Sequence, residues 1–180
     1  MIKSFYLNNI AYYIAGAASV VFFIFYFYPS LFQIGGLILL LLGIAIFIDT
    51  LLVFSKRNGI NAERLVTDRF SIGDDNKVVI SLNNYYAFPV KTSVIDELPI
   101  QFQEREWIRR AKIDRGEKYD LQYLLKPMTR GEYVFNNINI FAHGPLQLVK
   151  RRFIFESTQT VKVYPSYIQM RRYQLLAVSN

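Results

Sequence analysis

Cysteine is absent from the 180 residues, which excludes disulfide staples and thiolate metal sites within them. Histidine occurs once, as His143 in the turn His143-Gly144-Pro145, with no cysteine to partner it and no serine-elbow pattern elsewhere. A lone histidine in a turn reads as structural or solvated. Asp74-Asp75-Asn76 lacks the ligand spacing and closing acid of a calcium hand, and glycine-rich phosphate loops, zinc patterns and paired carboxylates do not occur. The expectation is a protein that is not an enzyme and holds no metal or cofactor.

Charge is missing from one long stretch. Between Ile10 and Phe54 the only formal charge is Asp49, and every Lys and Arg except Lys3 lies from Ser55 onward. Two solvents are implied. Ile10 to Tyr28, as a helix rising ~1.5 Å per residue, spans roughly 28 Å, enough to cross a hydrocarbon core once. Leu31 to Phe54 is longer and crosses again with tilt. Pro29 cannot continue the first helix's ladder, and Tyr26 and Tyr28 suit the headgroup level, so Pro29-Ser30 reads as the connection. A secretory signal peptide competes for the first run, but Ala15-Gly16-Ala17-Ala18 is followed by Val20-Val21-Phe22-Phe23, not by a polar mature start.

The connection carries no Lys or Arg, whereas Lys3 flanks one end of the pair and Lys56, Arg57 and Arg64 flank the other. By the positive-inside rule both termini and the following domain stay in the cytoplasm, at an inner or plasma membrane. Ala11, Ala15 and Ser19 recur at four-residue spacing, and Gly36 and Gly43 thin the second helix, so the helices are expected to pack closely. Asp49 sits near the inner end of its helix and reads first as an interfacial anchor, the rival being a proton relay.

From Arg64 onward the apolar period is two. Val78, Ile80 and Leu82 alternate with Lys77, Val79, Ser81 and Asn83, and Tyr119, Leu121, Tyr123 and Leu125 with Asp120, Gln122, Leu124 and Lys126; Tyr133 and Phe135, Ile138 and Ile140, and Val161 and Val163 continue the theme. Turn residues separate them at Gly73-Asp74-Asp75-Asn76, Asn83-Asn84, Leu98-Pro99, Thr129-Arg130-Gly131, His143-Gly144-Pro145 and Tyr164-Pro165-Ser166. About seven short strands without a convincing helix before Tyr167–Val178 predict an all-β domain over residues 57–166. An immunoglobulin-like antiparallel β-sandwich is expected, with a small barrel as the alternative.

The longest stretch without strand character, Gln101 to Lys118, is densely charged around Trp107. It has two readings: a partner contact using Trp107, Arg105, Arg109 and Arg110, or a solvated segment whose Trp107 packs back on the sandwich. The net charge of +7 suits an anionic lipid surface first, then an acidic protein partner, but its scatter along the sequence reads as a solvated surface and points away from nucleic acid.

Tyr123-Leu124-Leu125-Lys126-Pro127-Met128-Thr129-Arg130-Gly131-Glu132-Tyr133, then Gly144-Pro145-Leu146-Gln147-Leu148 and Val163-Tyr164-Pro165-Ser166, resembles the N-terminal half of the family called domain of unknown function 58. Gly73–Ile80, Asp96-Glu97-Leu98-Pro99 and the leading hydrophobic hairpin fall in that family's order. Pro127 would end a strand, Gly131 would permit a tight return, and Arg130 could hold that turn through backbone carbonyls. Pro145 would begin the next strand, and Pro165 would close the last.

The resemblance implies a membrane-anchored bacterial or archaeal protein working beside a MoxR-type AAA+ ATPase or its client. It also implies a following von Willebrand factor type A-like domain, whose introductory glycine-, arginine- and tryptophan-bearing motif does not occur within these residues. The expected function is a non-enzymatic scaffold whose cytosolic sandwich binds protein at the bilayer. The rivals are an envelope binding module with the sandwich outside, and a transporter or enzyme subunit using Asp49.

Overall fold

In the computed structural model, which describes residues 4–27, 29–104 and 107–165, strand β1 (Phe5–Leu7) precedes two helices, α1 (Asn9–Tyr26) and α2 (Pro29–Phe54). Pro29 is the first residue of α2, where its missing N–H costs nothing, so Pro29-Ser30 belongs to the second helix and the helices are joined before it. Of the stripe expected on α1 only Ala11 is buried, with Ala18 two turns on; Ala15 and Ser19 are exposed, and a methyl group added at Gly36 or Gly43 would meet nothing. Those two glycines do not thin the seam between the helices. Much of the remaining helical surface is apolar and uncovered, including Phe23, Leu40 and Phe47, each more than 60% exposed.

Ten further strands follow: β2 (Ile60–Val66), β3 (Arg69–Ser71), β4 (Asn76–Asn84), β5 (Val90–Asp96), β6 (Ile108–Ile113), β7 (Lys118–Leu125), β8 (Gly131–Phe135), β9 (Ile138–His143), β10 (Val149–Phe155) and β11 (Gln159–Tyr164). One face of the sandwich is β2-β4-β7, antiparallel throughout. The other is built on a long bent hairpin: β8 and β9 run up, β10 and β11 run back, and β5 and β6 add beside β9. The outer edge of the returning strand is covered twice, by β1 antiparallel to β10 and by β3 parallel to β11. The sheet therefore takes in a segment that precedes the first helix.

Period-two alternation directs Ile60, Val78, Ile80, Leu82, Val94, Leu121, Phe135, Ile138 and Ile140 into one shared core between the sheets. The immunoglobulin-like sandwich expected from this patterning is present. Gln101–Lys118 is not free of strand: a 3-10 turn at Ile100–Phe102 and the edge strand β6 occupy it. In β6 only Ile113 is buried, so Arg109, Arg110 and Lys112 hide the alternation that marks central strands. The region expected to form a C-terminal helix, 167–178, lies outside the described residues.

Arg64 does not flank the membrane. It points inward from β2, is 1% exposed, and pairs its guanidinium with the Asp96 carboxylate through both Nε and Nη2. Its remaining donors reach the carbonyls of Ser157 (2.6 Å) and Asn136 (3.0 Å), at the two points where the bent hairpin interrupts its ladder. The guanidinium thus replaces the ladder partners that the bend removes.

The Tyr123 hydroxyl donates to Asp96 as well, and burial first, then the Asp96 charge, push this phenol far above its ordinary value. In the unfolded chain the phenol ionises near pH 10, but in the fold it keeps its proton. Its contribution to stability is therefore intact below about pH 10 and falls as pH rises beyond it. Tyr123→Phe is expected to flatten that alkaline loss, read as the unfolding midpoint against pH from about 9 to 12. The parent protein should lose stability more steeply over the same window.

Candidate functional site

Where α2 meets the sandwich, one carboxylate organises a whole turn. Asp49 is 0% exposed, and its oxygens accept the backbone N–H groups of Leu146 (3.0 Å), Leu148 (3.0 Å) and Val149 (2.9 Å) in the β9–β10 turn. The turn's other groups are spoken for. Gly144 N–H donates to Val149 O and Gln147 N–H to Gly144 O, both at 2.9 Å. Asn8, on the residue before α1, donates its side-chain amide to Gln147 O (2.7 Å) and its backbone N–H to Leu148 O (2.9 Å). The Asn8 side-chain oxygen also accepts the Asn9 N–H (3.0 Å), and its backbone carbonyl accepts the Ala11 N–H (2.9 Å) at the start of the helix. The turn is therefore held by both helices.

A carboxylate is the side chain suited to this task, because it accepts only and offers enough lone pairs for three donors. As anchor, Asp49 grips the protein's own sandwich instead of the bilayer interface.

The last turn of α2 is held from the same sheet. Arg151 of β10 donates to the carbonyls of Val53 (3.3 Å), Lys56 (2.7 Å) and Arg57 (2.9 Å), and its guanidinium lies over the rings of Phe54 and Phe153. This satisfies carbonyls that a helix end leaves open and sets a cation at its negative pole. The Tyr86 hydroxyl donates to Val53 O at 2.6 Å, and burial raises its pKa above the ordinary value.

Two glycines make room for these contacts. A Cβ on Gly59 would land on the Tyr86 ring, and one on Gly144 would land on the Asp49 carboxylate. Gly144→Ala is therefore expected to cost about 1–3 kcal/mol by overpacking. Gly43→Ala, on α2 and facing open space, should cost nothing; parallel thermal melts of the full chain separate the two.

The residues expected at a partner contact divide. Trp107 is 3% exposed and its ring lies tilted against that of Tyr123 with centroids 4.4 Å apart, so it packs back on the sandwich. Arg109 lies over the Trp107 ring at 5.2 Å, Arg110 stands exposed on β6, and Arg105 lies outside the described residues.

Among the turn residues, Pro127 follows β7 and its carbonyl accepts the Gly73 N–H at 2.9 Å, while Pro165 follows β11. Gly131 opens β8 at φ 142°, a conformation that favours glycine. Arg130 is exposed and, among the described residues, holds no carbonyl. The Tyr133 hydroxyl does that work, donating to Thr129 O at 3.0 Å. Pro145 lies inside the β9–β10 turn, four residues before β10, because the turn must curl around Asp49 before a strand can start.

Asn8, Tyr86 and Arg151 carry no pattern in the sequence that marks them, because each acts on a partner distant along the chain.

No family model matches the chain, and no curated protein matches it. Among solved structures, the CARDB domain of the PF1109 protein from Pyrococcus furiosus is similar at 15% identity and TM-score 0.39, over 58% of this chain and 87% of that one. A PapD-like domain of human CEP192 is similar at 8% identity and TM-score 0.42, over 61% and 87%. The PKD domain of an M14-like peptidase from a Thermoplasmatales archaeon follows at 11% and 0.35, over 58% and 93%. The likeness is one of immunoglobulin-like fold and carries nothing on ligand or partner.

Proposed function

We propose that α1 and α2 cross a lipid bilayer as a hairpin and hold the sandwich against its cytosolic face, where it serves as a non-catalytic scaffold for a protein partner. The observation that carries this reading is the clamp of Asp49 on the β9–β10 turn. A soluble domain tethered by a flexible linker would need no such bond, whereas one that must keep a fixed attitude to the bilayer would.

Uncovered apolar side chains along both helices support insertion, and Gly35–Phe54, with a mean hydropathy of 2.9, is long and apolar enough to cross. Lys56 and Arg57 stand exposed at the sandwich end and the helix connection carries no Lys or Arg, which favours the cytosolic side. The resemblance to the domain of unknown function 58 family makes a MoxR-type AAA+ ATPase or its client the first partner to try.

Three measurements test the parts separately. The full chain should stay with membranes through an alkaline carbonate wash; recovery in the supernatant overturns insertion. Protease added outside intact cells should leave the sandwich uncut, and cleavage would place it in the envelope. The reconstituted protein should retain the co-expressed ATPase or a client on an affinity column, and retention of neither removes the scaffold reading.

A further inference from the structure

On the outer face of the β10-β9-β5-β6 sheet, beside the first turn of α1, lies a groove of about 690 Å³, within the usual range for small-ligand sites. Its charged lining is of one sign. Lys91, Arg110, Lys112 and Lys150 border it with His143, and among the described residues no Asp or Glu lines it.

The cations are brought together by register. Lys91 stands directly opposite Lys112 across β5 and β6, and Lys150 directly opposite His143 across β10 and β9. Like charges in such positions weaken a sheet, so the pairing of Lys91 with Lys112 is a cost that packing does not explain. Lys91 donates to the Gln147 side chain (3.1 Å), and Lys112 has a loose exposed neighbour in Asp114 (3.9 Å). Neither contact neutralises the groove. Burial, then Lys150, Arg110 and Lys91, hold the His143 imidazole below its ordinary pKa, against a smaller upward pull from the Asp49 carboxylate. The start of α1 adds the positive end of a helix dipole on the same side.

We propose that this groove binds a phosphate-bearing anion, either the headgroup of an anionic phospholipid or a free phosphate. The lipid source rests on the hairpin lying in a bilayer, since the α1 end of the groove then sits at headgroup level. The free source does not.

His143 is the chain's only histidine, so its imidazole signal in NMR needs no assignment and reports on the groove. The full-length protein is placed in phosphatidylcholine nanodiscs, in discs containing phosphatidylglycerol, and in phosphatidylcholine discs with added inorganic phosphate. An anion in the groove should raise the titration midpoint of His143 by about one pH unit. A rise in phosphatidylglycerol discs identifies a lipid headgroup, and a saturable rise with inorganic phosphate identifies a free anion.

Arg110→Gln with Lys150→Gln should abolish the ligand-induced rise, whereas Lys162→Gln, on β11 at the other end of the bent hairpin, should keep it. No rise with either ligand, or an equal rise in the double variant, overturns the site. The second result would mean that His143 senses only the general surface potential. A chain that fails to enter discs strikes the hairpin reading alone, and the phosphate titration, repeated in detergent, still decides the groove.

Discussion

Asp49→Ala is expected to lower the unfolding midpoint of the full chain in detergent by about 6–12 °C. The substitution leaves the N–H groups of Leu146, Leu148 and Val149 without their acceptor. A buried donor stripped of its partner costs about 1–3 kcal/mol. Part of the turn can reach water once the carboxylate is gone, so a total near 3 kcal/mol is the reasonable sum. A chain of this size loses about 2–4 °C per kcal/mol.

Asp49→Asn divides the clamp from a proton relay. The amide keeps one acceptor oxygen, which can still serve Leu148 and Val149, but its NH2 then faces the Leu146 N–H, donor against donor. About half the loss should return. If Asp49 instead moved protons, the asparagine variant would melt like the parent and lose function completely. A variant whose stability matches the parent to within a degree therefore removes the clamp as the role of Asp49.

Strands β4 and β7 were legible because each turns one apolar face to the core. Val78, Ile80 and Leu82 on β4, and Leu121, Tyr123 and Leu125 on β7, recur at a period of two, although Ser81 is buried as well. Strand β6, at the edge of its sheet, also has further pairing to avoid, and it does so with charge at the cost of its pattern. β1 is only three residues long and lies before the helices, so its pairing with β10 is set by the docking of α1 through Asn8, a contact no local pattern carries.

The junction was half legible. Asp49 was conspicuous as the one charge in an apolar run, but what it holds lies about a hundred residues further on. The Gly144-Pro145-Leu146-Gln147-Leu148 segment explains itself only once the two meet: Gly144 leaves space for the carboxylate, and the turn's N–H groups converge on it. Arg64 shows the opposite case. Its place soon after an apolar helix suggested a membrane-facing cation, and tertiary structure turned it inward because Asp96 and two open carbonyls were there to receive it.

Arg64→Met should be the most damaging substitution in the sandwich, at about 3–5 kcal/mol, because it leaves the Asp96 carboxylate buried with Tyr123 as its remaining side-chain donor. The midpoint should fall by about 6–20 °C in the full chain. Asp96→Leu alone should cost a comparable amount, since the guanidinium is then buried without its anion. The double variant is the discriminating one: a buried ion pair replaced as a unit by apolar side chains is often nearly neutral. Here it should recover much, but not all, of the loss, because the carbonyls of Asn136 and Ser157 still lose the donors that bridged the bend. Full additivity of the two single losses would mean that the pair is not coupled and that the damage lies elsewhere. The residual deficit has a functional edge. The bend fixed by Arg64 directs the β9–β10 half of the hairpin, and so the turn gripped by Asp49, toward the helices. Hydrogen exchange at Leu148 and Val149 should therefore quicken in the double variant, although Arg64 touches neither residue.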